Sequence, residues 1–113
     1  MMPEQTSYKN LRQFQRVEIV LPIELQFGTQ IILQGQLKDI SLKSAFVVLR
    51  DSIYFEQNEK FNFVIKRSFE NPECVVEGVA RISRIAKGEG IAIFFTKMDD
   101  KFQAQLKLLI EGK

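Results

Sequence analysis

Two arginines and a short motif with an acid and a hydroxyl are the residues of this chain that best suit binding of an anion. Arg12 and Arg16 are spaced four apart, and Asp39 and Ser41 follow further along. In an extended segment the two arginines would share one side, about 13 Å apart, and a helical turn would bring them closer. Guanidinium groups fit phosphate oxygens or the Hoogsteen edge of guanine, while a carboxylate accepts from a guanine N–H and a serine donates or accepts. The combination indicates a site for a guanine nucleotide.

The size and charge of the chain are those of one ordinary globular domain. Its 113 residues are 45% hydrophobic and 27% charged, and ten phenylalanines supply most of the bulky packing material. A chain of this length can bury about two-thirds of the surface that it exposes when unfolded. Sixteen basic residues against fourteen acidic ones leave a net charge of only +2. Attraction to an anion must then come from local clustering, and general DNA binding is not expected.

The residue types that most enzymes need are scarce. Histidine is absent and Cys74 is the single cysteine. Triad hydrolases, zinc enzymes and disulfide frameworks therefore lack their central residues. Glycine-rich phosphate loops of the Walker type are also missing. We expect a binding module with no catalytic residue and no metal site.

The distribution of apolar residues gives no sign of a membrane segment. No apolar stretch approaches the roughly 20 residues that a membrane helix needs, and the polar first residues lack the apolar region of a signal peptide. The sequence predicts a cytoplasmic protein without membrane insertion.

The first half of the chain predicts a polar arm and a hairpin. Residues 1–15 have few apolar positions and are expected to form a flexible arm, with the folded domain spanning 16–113. From Val17 to Phe27 apolar residues alternate with polar ones, which is typical of a half-buried strand, and Pro22 indicates an edge position or a bulge. A second strand follows the turn at 28–30, with a break at Gly35.

The second half predicts more strands and one helix. Strands are expected at 45–49, 61–65, 74–85 and 91–95, the first of them covered on both faces and the last central. Apolar residues then recur at helical spacing from Met98 to Ile110, with Thr96 or Asp99 as the cap. The links between the predicted strands are as short as hairpin loops, and strands do not alternate with helices. This favours a mainly all-β fold, a six- to seven-stranded antiparallel barrel with a C-terminal α-helix.

Taken with this order of elements, the motifs resemble those of PilZ domains. Arg12-x-x-x-Arg16 before a strand is similar to the family's RxxxR motif, and Asp39-x-Ser41-x-x-Ser44 is similar to its (D/N)xSxxG motif. The segment Gly90-Ile-Ala-Ile-Phe-Phe95 and the helix after Asp99 resemble the closing strand and C-terminal helix of these domains. The resemblance covers nearly the whole chain.

The resemblance implies a receptor for the bacterial second messenger cyclic di-GMP, with no further cofactor. Arg12 and Arg16 would hold phosphates and guanine edges, and Asp39 and Ser41 would contact a guanine from the barrel surface. Ser44 completes the expected ligand set, and the secondary candidates are Lys43, Leu11 and Gln13. Arg81 and Arg84 are interpreted as a solvated outer face, with the alternative that they face the same site. The receptor would change conformation on binding and regulate a protein partner, for example in motility, pilus function or biofilm formation.

Ser44 departs from the family pattern, which has glycine there. If the position requires a positive φ, serine costs about 1 kcal/mol and its side chain crowds a stacked base, so weaker binding is expected. The departure keeps open an alternative, a degenerate PilZ-like module for protein interaction that does not bind cyclic di-GMP. A small barrel for single-stranded RNA is a third alternative, which the near-neutral charge disfavours.

Overall fold

The computed structural model describes residues 16–49 and 55–112 of the chain. The described residues form seven strands and one helix. These are β1 (Val17–Glu18), β2 (Pro22–Phe27), β3 (Ile31–Ile40), β4 (Ser44–Val48), β5 (Lys60–Lys66), β6 (Cys74–Ala86), β7 (Gly90–Lys97) and α1 (Asp100–Glu111). The predicted arm over 1–15, with Leu11, Arg12 and Gln13, lies outside the described residues.

Six of the strands close into an antiparallel barrel. The hydrogen-bonded order is β1-β3-β2-β5-β6-β7-β4, and β4 also pairs with β3, so that β3 and β4 form the closing seam. Strand β1 is an addition outside the ring and pairs only with β3. The predicted fold, a mainly all-β barrel of six to seven antiparallel strands with a C-terminal helix, is confirmed.

The barrel interior is filled by the apolar residues of alternating positions. On β2, Ile23 and Leu25 are fully buried, and on β5 Phe63 and Ile65 are equally inaccessible. Successive side chains of a strand point to opposite faces, so this period of two places one face inside and the other at the surface. The other four barrel strands, β3, β4, β6 and β7, also supply interior residues, among them Leu37, Ala45, Val47, Val76, Ala80, Ile82, Ile91 and Ile93.

The first predicted strand is divided in the structure. The alternation from Val17 to Phe27 predicts one strand, but pairing with β3 is interrupted between Glu18 and Pro22. Pro22 opens β2, a position where its missing N–H costs no ladder bond. The intervening backbone still bonds to β3, since Ile19 N donates to the Lys38 carbonyl at 3.2 Å and Leu21 accepts from Leu37 N at 2.8 Å.

The break predicted at Gly35 is wrong, because β3 runs without interruption from Ile31 to Ile40. Side chains of Val47 and Leu49 lie so close that a Cβ at Gly35 would collide with them. Gly35 therefore lets β4 approach β3 closely, and it does not end β3. The irregularity of β3 is a register shift between Leu37 and Asp39, where β3 pairs with β4.

The strand β7 lies between β6 and β4, as its apolar sequence predicts. Its first residue, Gly90, has φ 155° and sits directly against the carbonyl of Val47, where any Cβ would collide. Only glycine lets the β4 and β7 backbones meet at this end.

The helix α1 covers β6 with the apolar stripe predicted from the sequence. Leu106 is buried in the core, and Phe102, Leu109 and Ile110 are partly buried against that core. Asp99 takes the N-cap position, but without a side-chain hydrogen bond to the helix. Thr96, the other predicted cap, donates its hydroxyl to the Val79 carbonyl at 3.1 Å. Packing of the stripe therefore fixes this helix more than capping does.

Candidate functional site

The Arg16 guanidinium joins the two sequence motifs at one place on the barrel surface. Its Nη1 donates to Asp39 Oδ1 at 2.5 Å and its Nη2 donates to Ser44 Oγ at 2.9 Å. The Arg16 side chain remains 45% exposed and that of Asp39 23% exposed. The guanidinium therefore bridges two acceptors at the barrel surface and stays accessible to a ligand.

Strand pairing explains why Arg16 reaches Asp39. Arg16 directly precedes β1, in which Val17 pairs with Ile40 and Glu18 pairs with Asp39. The two-residue ladder fixes the root of the N-terminal segment beside the end of β3. Arg16 therefore lies beside Asp39 because β1 pairs with the end of β3. The sequence pattern alone does not distinguish β1 from β2.

Ser41 organises the turn of residues 41–44 that carries the second motif. The residue is 1% exposed, and its Oγ accepts from Lys43 N at 3.2 Å and from Ser44 N at 3.1 Å. Its backbone N–H donates to the Ser44 carbonyl at 2.7 Å. A buried hydroxyl with two backbone donors stabilises the turn that connects β3 to β4. Ser41, one of the predicted ligand residues, has a structural task in this structure.

Ser44 adopts an ordinary backbone conformation. Among the described residues other than glycine, only Asn58 has a positive φ. The expected conformational penalty for serine at this position is therefore absent. The hydroxyl instead supplies an acceptor to Arg16 and lies 3.3 Å from Ser41 Oγ. Serine gives this site a polar contact that glycine lacks.

The remaining predicted site residues fall into two groups. Lys43 is exposed in the 41–44 turn, and its carbonyl accepts from Phe95 N at 2.8 Å, which ties the turn to β7. Arg12, Leu11 and Gln13 lie outside the described residues. The structure thus brings Arg16, Asp39, Ser41 and Ser44 together, with Lys43 in the same turn.

Two aromatic residues beside this group were not among the predicted site residues. Phe46 pairs with Asp39, and Phe94 pairs with Ser44. Directly paired residues of antiparallel strands share a face, so both rings lie on the outside of the barrel next to the motifs. They sit in the continuous apolar runs at 45–49 and 91–95, where a lack of alternation hides which residues point outward. Only the strand register reveals their position.

The ionisable groups with shifted pKa lie away from the motifs. Hydrogen bonds from Gln26 and Gln34, together with Lys66, lower the pKa of Glu24 on β2. Burial, aided by the nearby Glu77 carboxylate, raises the pKa of the Cys74 thiol at the start of β6. No helix in the part of the chain that the structure describes is long and apolar enough to cross a membrane.

Solved structures that share this fold include the following three proteins. The inhibitor of motility MotI/DgrA of Bacillus subtilis superposes with a TM-score of 0.75 at 20% identity, over 89% of this chain and 49% of that one. This chain therefore spans about half the length of that protein. The PilZ domain of CeSA from a cellulose-synthesizing bacterium gives a TM-score of 0.65 at 22% identity, over 86% and 95% of the two chains. The PilZ domain of YcgR from Escherichia coli, solved with c-di-GMP, gives 0.67 at 13% identity, over 89% of each.

The sequence itself carries a family assignment. No curated protein matches the chain. The model of the PilZ domain family matches residues 10–112, which include both motifs, all the strands and the helix. The resemblance noted from the motifs is thereby confirmed, and the chain belongs to the PilZ domain family, whose members bind cyclic di-GMP.

Proposed function

We propose that this chain is a receptor for cyclic di-GMP that binds the ligand at Arg16, Asp39 and Ser44, on the turn that the buried Ser41 stabilises, and then regulates a protein partner. The observation that carries the proposal is the Arg16 guanidinium, which is held beside Asp39 and Ser44 on the outer surface of the barrel. A guanidinium fixed by two acceptors keeps further N–H donors for a phosphate or a guanine edge. Because the Arg16 guanidinium is already ordered, its side chain loses less conformational entropy when a ligand binds.

The segment that precedes Arg16 completes the proposed site. Arg12 lies four residues before Arg16, and Leu11 and Gln13 flank it. Because β1 fixes the root of this segment beside Asp39, a ligand on the barrel surface lies within its reach. The ligand favours the state in which both arginines contact it, and that difference in affinity drives the change of surface that a partner recognises.

Isothermal titration with cyclic di-GMP tests the receptor function directly. We expect binding heat for the wild type at ligand concentrations up to about 100 µM, and no binding in that range would overturn the proposal. Arg16→Ala should lose at least about ten-fold in affinity, because charge-assisted hydrogen bonds are among the stronger contacts. Arg67→Ala is a matched control, since Arg67 directly follows β5 and forms an ion pair with Glu73 at 2.9 Å.

The rival function is a PilZ-like interaction module that does not bind the nucleotide. The observation in its favour is that Asp39 already accepts from Arg16 and that Ser44 stands where the family has glycine. Co-purification of partners with the wild type and with Arg16→Ala distinguishes the two functions. A receptor should lose ligand-dependent capture in the variant, whereas an interaction module should capture the same partner with or without ligand.

A further inference from the structure

The hairpin of β2 and β3 extends past the end of β4. Strand β2 pairs with β3 from Pro22, opposite Gln36, to Phe27, opposite Ile31. On its other side, β3 pairs with β4 only from Gln36 onward. Among the described residues, positions 31–35 of β3 therefore have a hydrogen-bonded neighbour strand on one side only. This stretch, residues 31–35, is called the hairpin edge.

Two adjacent isoleucines at the start of the hairpin edge are exposed. Ile31 is 57% exposed and Ile32 is 56% exposed. Neighbouring residues of a strand point to opposite faces. Ile31 shares the face of its partner Phe27, which belongs to the core, so Ile32 lies on the outer face. The exposed apolar surface therefore wraps around both faces of the strand, and a neighbouring strand would bury it.

The hairpin edge lacks the features that usually prevent an exposed strand from pairing with another chain. Charged side chains, proline and bulges serve that purpose in natural sheets. Residues 25–37 include no charged residue and no proline, in a chain of which 27% is charged. The register shift of β3 lies further on, between Leu37 and Asp39. The hairpin edge is therefore suited to the addition of a further strand.

The direction of the backbone groups along the hairpin edge follows from one hydrogen bond. Leu37 N donates to the Leu21 carbonyl, on the β2 side, at 2.8 Å. Hydrogen-bonding direction alternates along an antiparallel strand, so the odd-numbered residues of the hairpin edge also face β2. Ile32 and Gln34 direct their N–H and C=O groups to the opposite side, where Gln36 pairs with β4. The backbone groups of Ile32 thus lie at the centre of the exposed apolar surface and point toward an added strand.

We propose that the hairpin edge pairs with the same edge of a second copy of this chain, antiparallel about a two-fold axis through Ile32. In this register Ile32 of one copy lies opposite Ile32 of the other, and Ile31 lies opposite Leu33. Each exposed isoleucine then contacts an apolar residue. A two-fold axis places identical residues opposite each other, so a charge at the centre would repel its own copy. The uncharged hairpin edge has no such repulsion, which favours a second copy as the occupant.

The proposed dimer is independent of the candidate site. Asp39 follows Ile32 by seven positions in β3, a separation of about 20 Å. Both copies would therefore keep the surface around Asp39 accessible. An interface of one short strand from each copy is small, so we expect a dissociation constant in the micromolar range or above.

Sedimentation equilibrium of the full chain between about 5 and about 500 µM tests the proposal. The average mass should rise with concentration from 13.1 kDa toward twice that value. Ile32→Lys should weaken association at least about ten-fold, because it places two like charges opposite each other at the centre of the interface. Leu108→Lys is the matched control, since Leu108 is a 62% exposed apolar residue on α1. It makes the same change of charge and should associate like the wild type. Melting temperatures like that of the wild type show that the variants fold.

A cysteine at position 32 tests the register. The Cα atoms of a hydrogen-bonded antiparallel pair are about 5.5 Å apart, a distance that a disulfide spans. Ile32→Cys, combined with Cys74→Ser to remove the native exposed thiol, should form a disulfide-linked dimer on mild oxidation. Leu108→Cys in the same background should form little. Non-reducing electrophoresis compares the two.

The outcomes decide between the second copy and other occupants. A chain that stays monomeric over the whole concentration range overturns the proposal, and a strand of a different protein would then be the occupant to consider. Association that is equally strong in Ile32→Lys also overturns it, because the interface would lie elsewhere. Association that Ile32→Lys loses and Leu108→Lys keeps, with cross-linking at position 32, supports it. None of these results bears on the receptor function, which the titration with cyclic di-GMP tests separately.

Discussion

Arg16 and Ser44 are joined by a hydrogen bond between Nη2 and Oγ of 2.9 Å, across 28 positions of the chain. The same guanidinium bonds to Asp39, so Ser44 is one of two acceptors that orient it. Ser44 is the residue by which this chain departs from the family pattern. Its hydroxyl belongs to the contacts of the candidate site, so its substitution should change the stability of the protein and, for the proposed receptor, the affinity for its ligand.

Ser44→Gly should destabilise the protein, although it restores the residue of the family motif. The position has no positive φ, so glycine gains nothing in the folded state, adds conformational entropy to the unfolded chain and removes the acceptor for Arg16; it should lower the free energy of unfolding by about 0.5–1 kcal/mol or more. Urea denaturation measures this change. Ser44→Ala separates the effects, because it removes the acceptor for Arg16 without freeing the backbone. A Ser44→Gly protein more stable than the wild type would contradict the conformation described for this turn.

Ser41→Ala should cost about 1–3 kcal/mol of stability, because it leaves the N–H groups of Lys43 and Ser44 without their side-chain acceptor in a partly buried turn. Ser83→Ala is the matched control, since the Ser83 side chain makes one hydrogen bond to the described residues, from its hydroxyl to the Ala92 carbonyl at 3.1 Å. The control should lose about 1 kcal/mol or less. Equal losses in the two variants would argue against a special role of Ser41 in the turn.

Gly90→Ala should be among the most damaging single substitutions in the barrel. Its Cβ would meet the Val47 carbonyl, so the β4 and β7 backbones must separate, and a loss of about 3 kcal/mol or more is expected. Gly88→Ala provides the comparison, because Gly88 has φ 80° with nothing near its Cβ position and should lose only about 1–2 kcal/mol. Thermal unfolding followed by circular dichroism compares the two. A smaller loss for Gly90→Ala than for Gly88→Ala would contradict the close approach of the strands.

Acid should destabilise the barrel partly through Glu24. Hydrogen bonds from Gln26 and Gln34 lower its pKa in the folded protein below the ordinary value of 4.5, and Lys66 lies 3.2 Å from the carboxylate. A lowered folded-state pKa gives stability that is present above the unfolded pKa and is lost as the pH falls through the folded pKa. Glu24→Gln should therefore be less pH-sensitive than the wild type below about pH 4.5. Denaturation curves at several acidic pH values measure this, and parallel pH profiles of the two proteins would refute the assignment.

The fold was predictable because the strands are marked by strong local patterns. Alternation at Phe61, Phe63 and Ile65 and the helical stripe ending at Ile110 correspond to β5 and α1. The errors come from tertiary contacts. The pattern predicts a break at Gly35, whereas in the structure the side chains of Val47 and Leu49 approach Gly35 closely. Spacing along one strand carries no information about which neighbour requires the small residue.

The candidate site was predictable only as a set of residue types. Arg16, Asp39 and Ser44 were named from their motifs, and their meeting depends on β1, a strand of two residues that has no sequence pattern of its own. The glycine of the family motif suggests a special backbone conformation at Ser44, but the φ of Ser44 is set by the turn that Ser41 stabilises and is not positive. Arg84 and Phe46 could not be placed on one face, because a register shift between Ile82 and Arg84 decides which residues of β6 point outward.

Binding of the proposed ligand would reduce local opening of the closing seam between β3 and β4. Ser44 is the first residue of β4, a strand of five residues that bonds to β3 on one side and β7 on the other. A ligand that bridges Asp39 and Ser44 holds both sides of this seam, and ligand bound only to the closed form lowers the population of the open one. For the proposed receptor, amide hydrogen exchange in β4 should therefore slow as cyclic di-GMP occupies the site, and the protection of these amides would measure that occupancy.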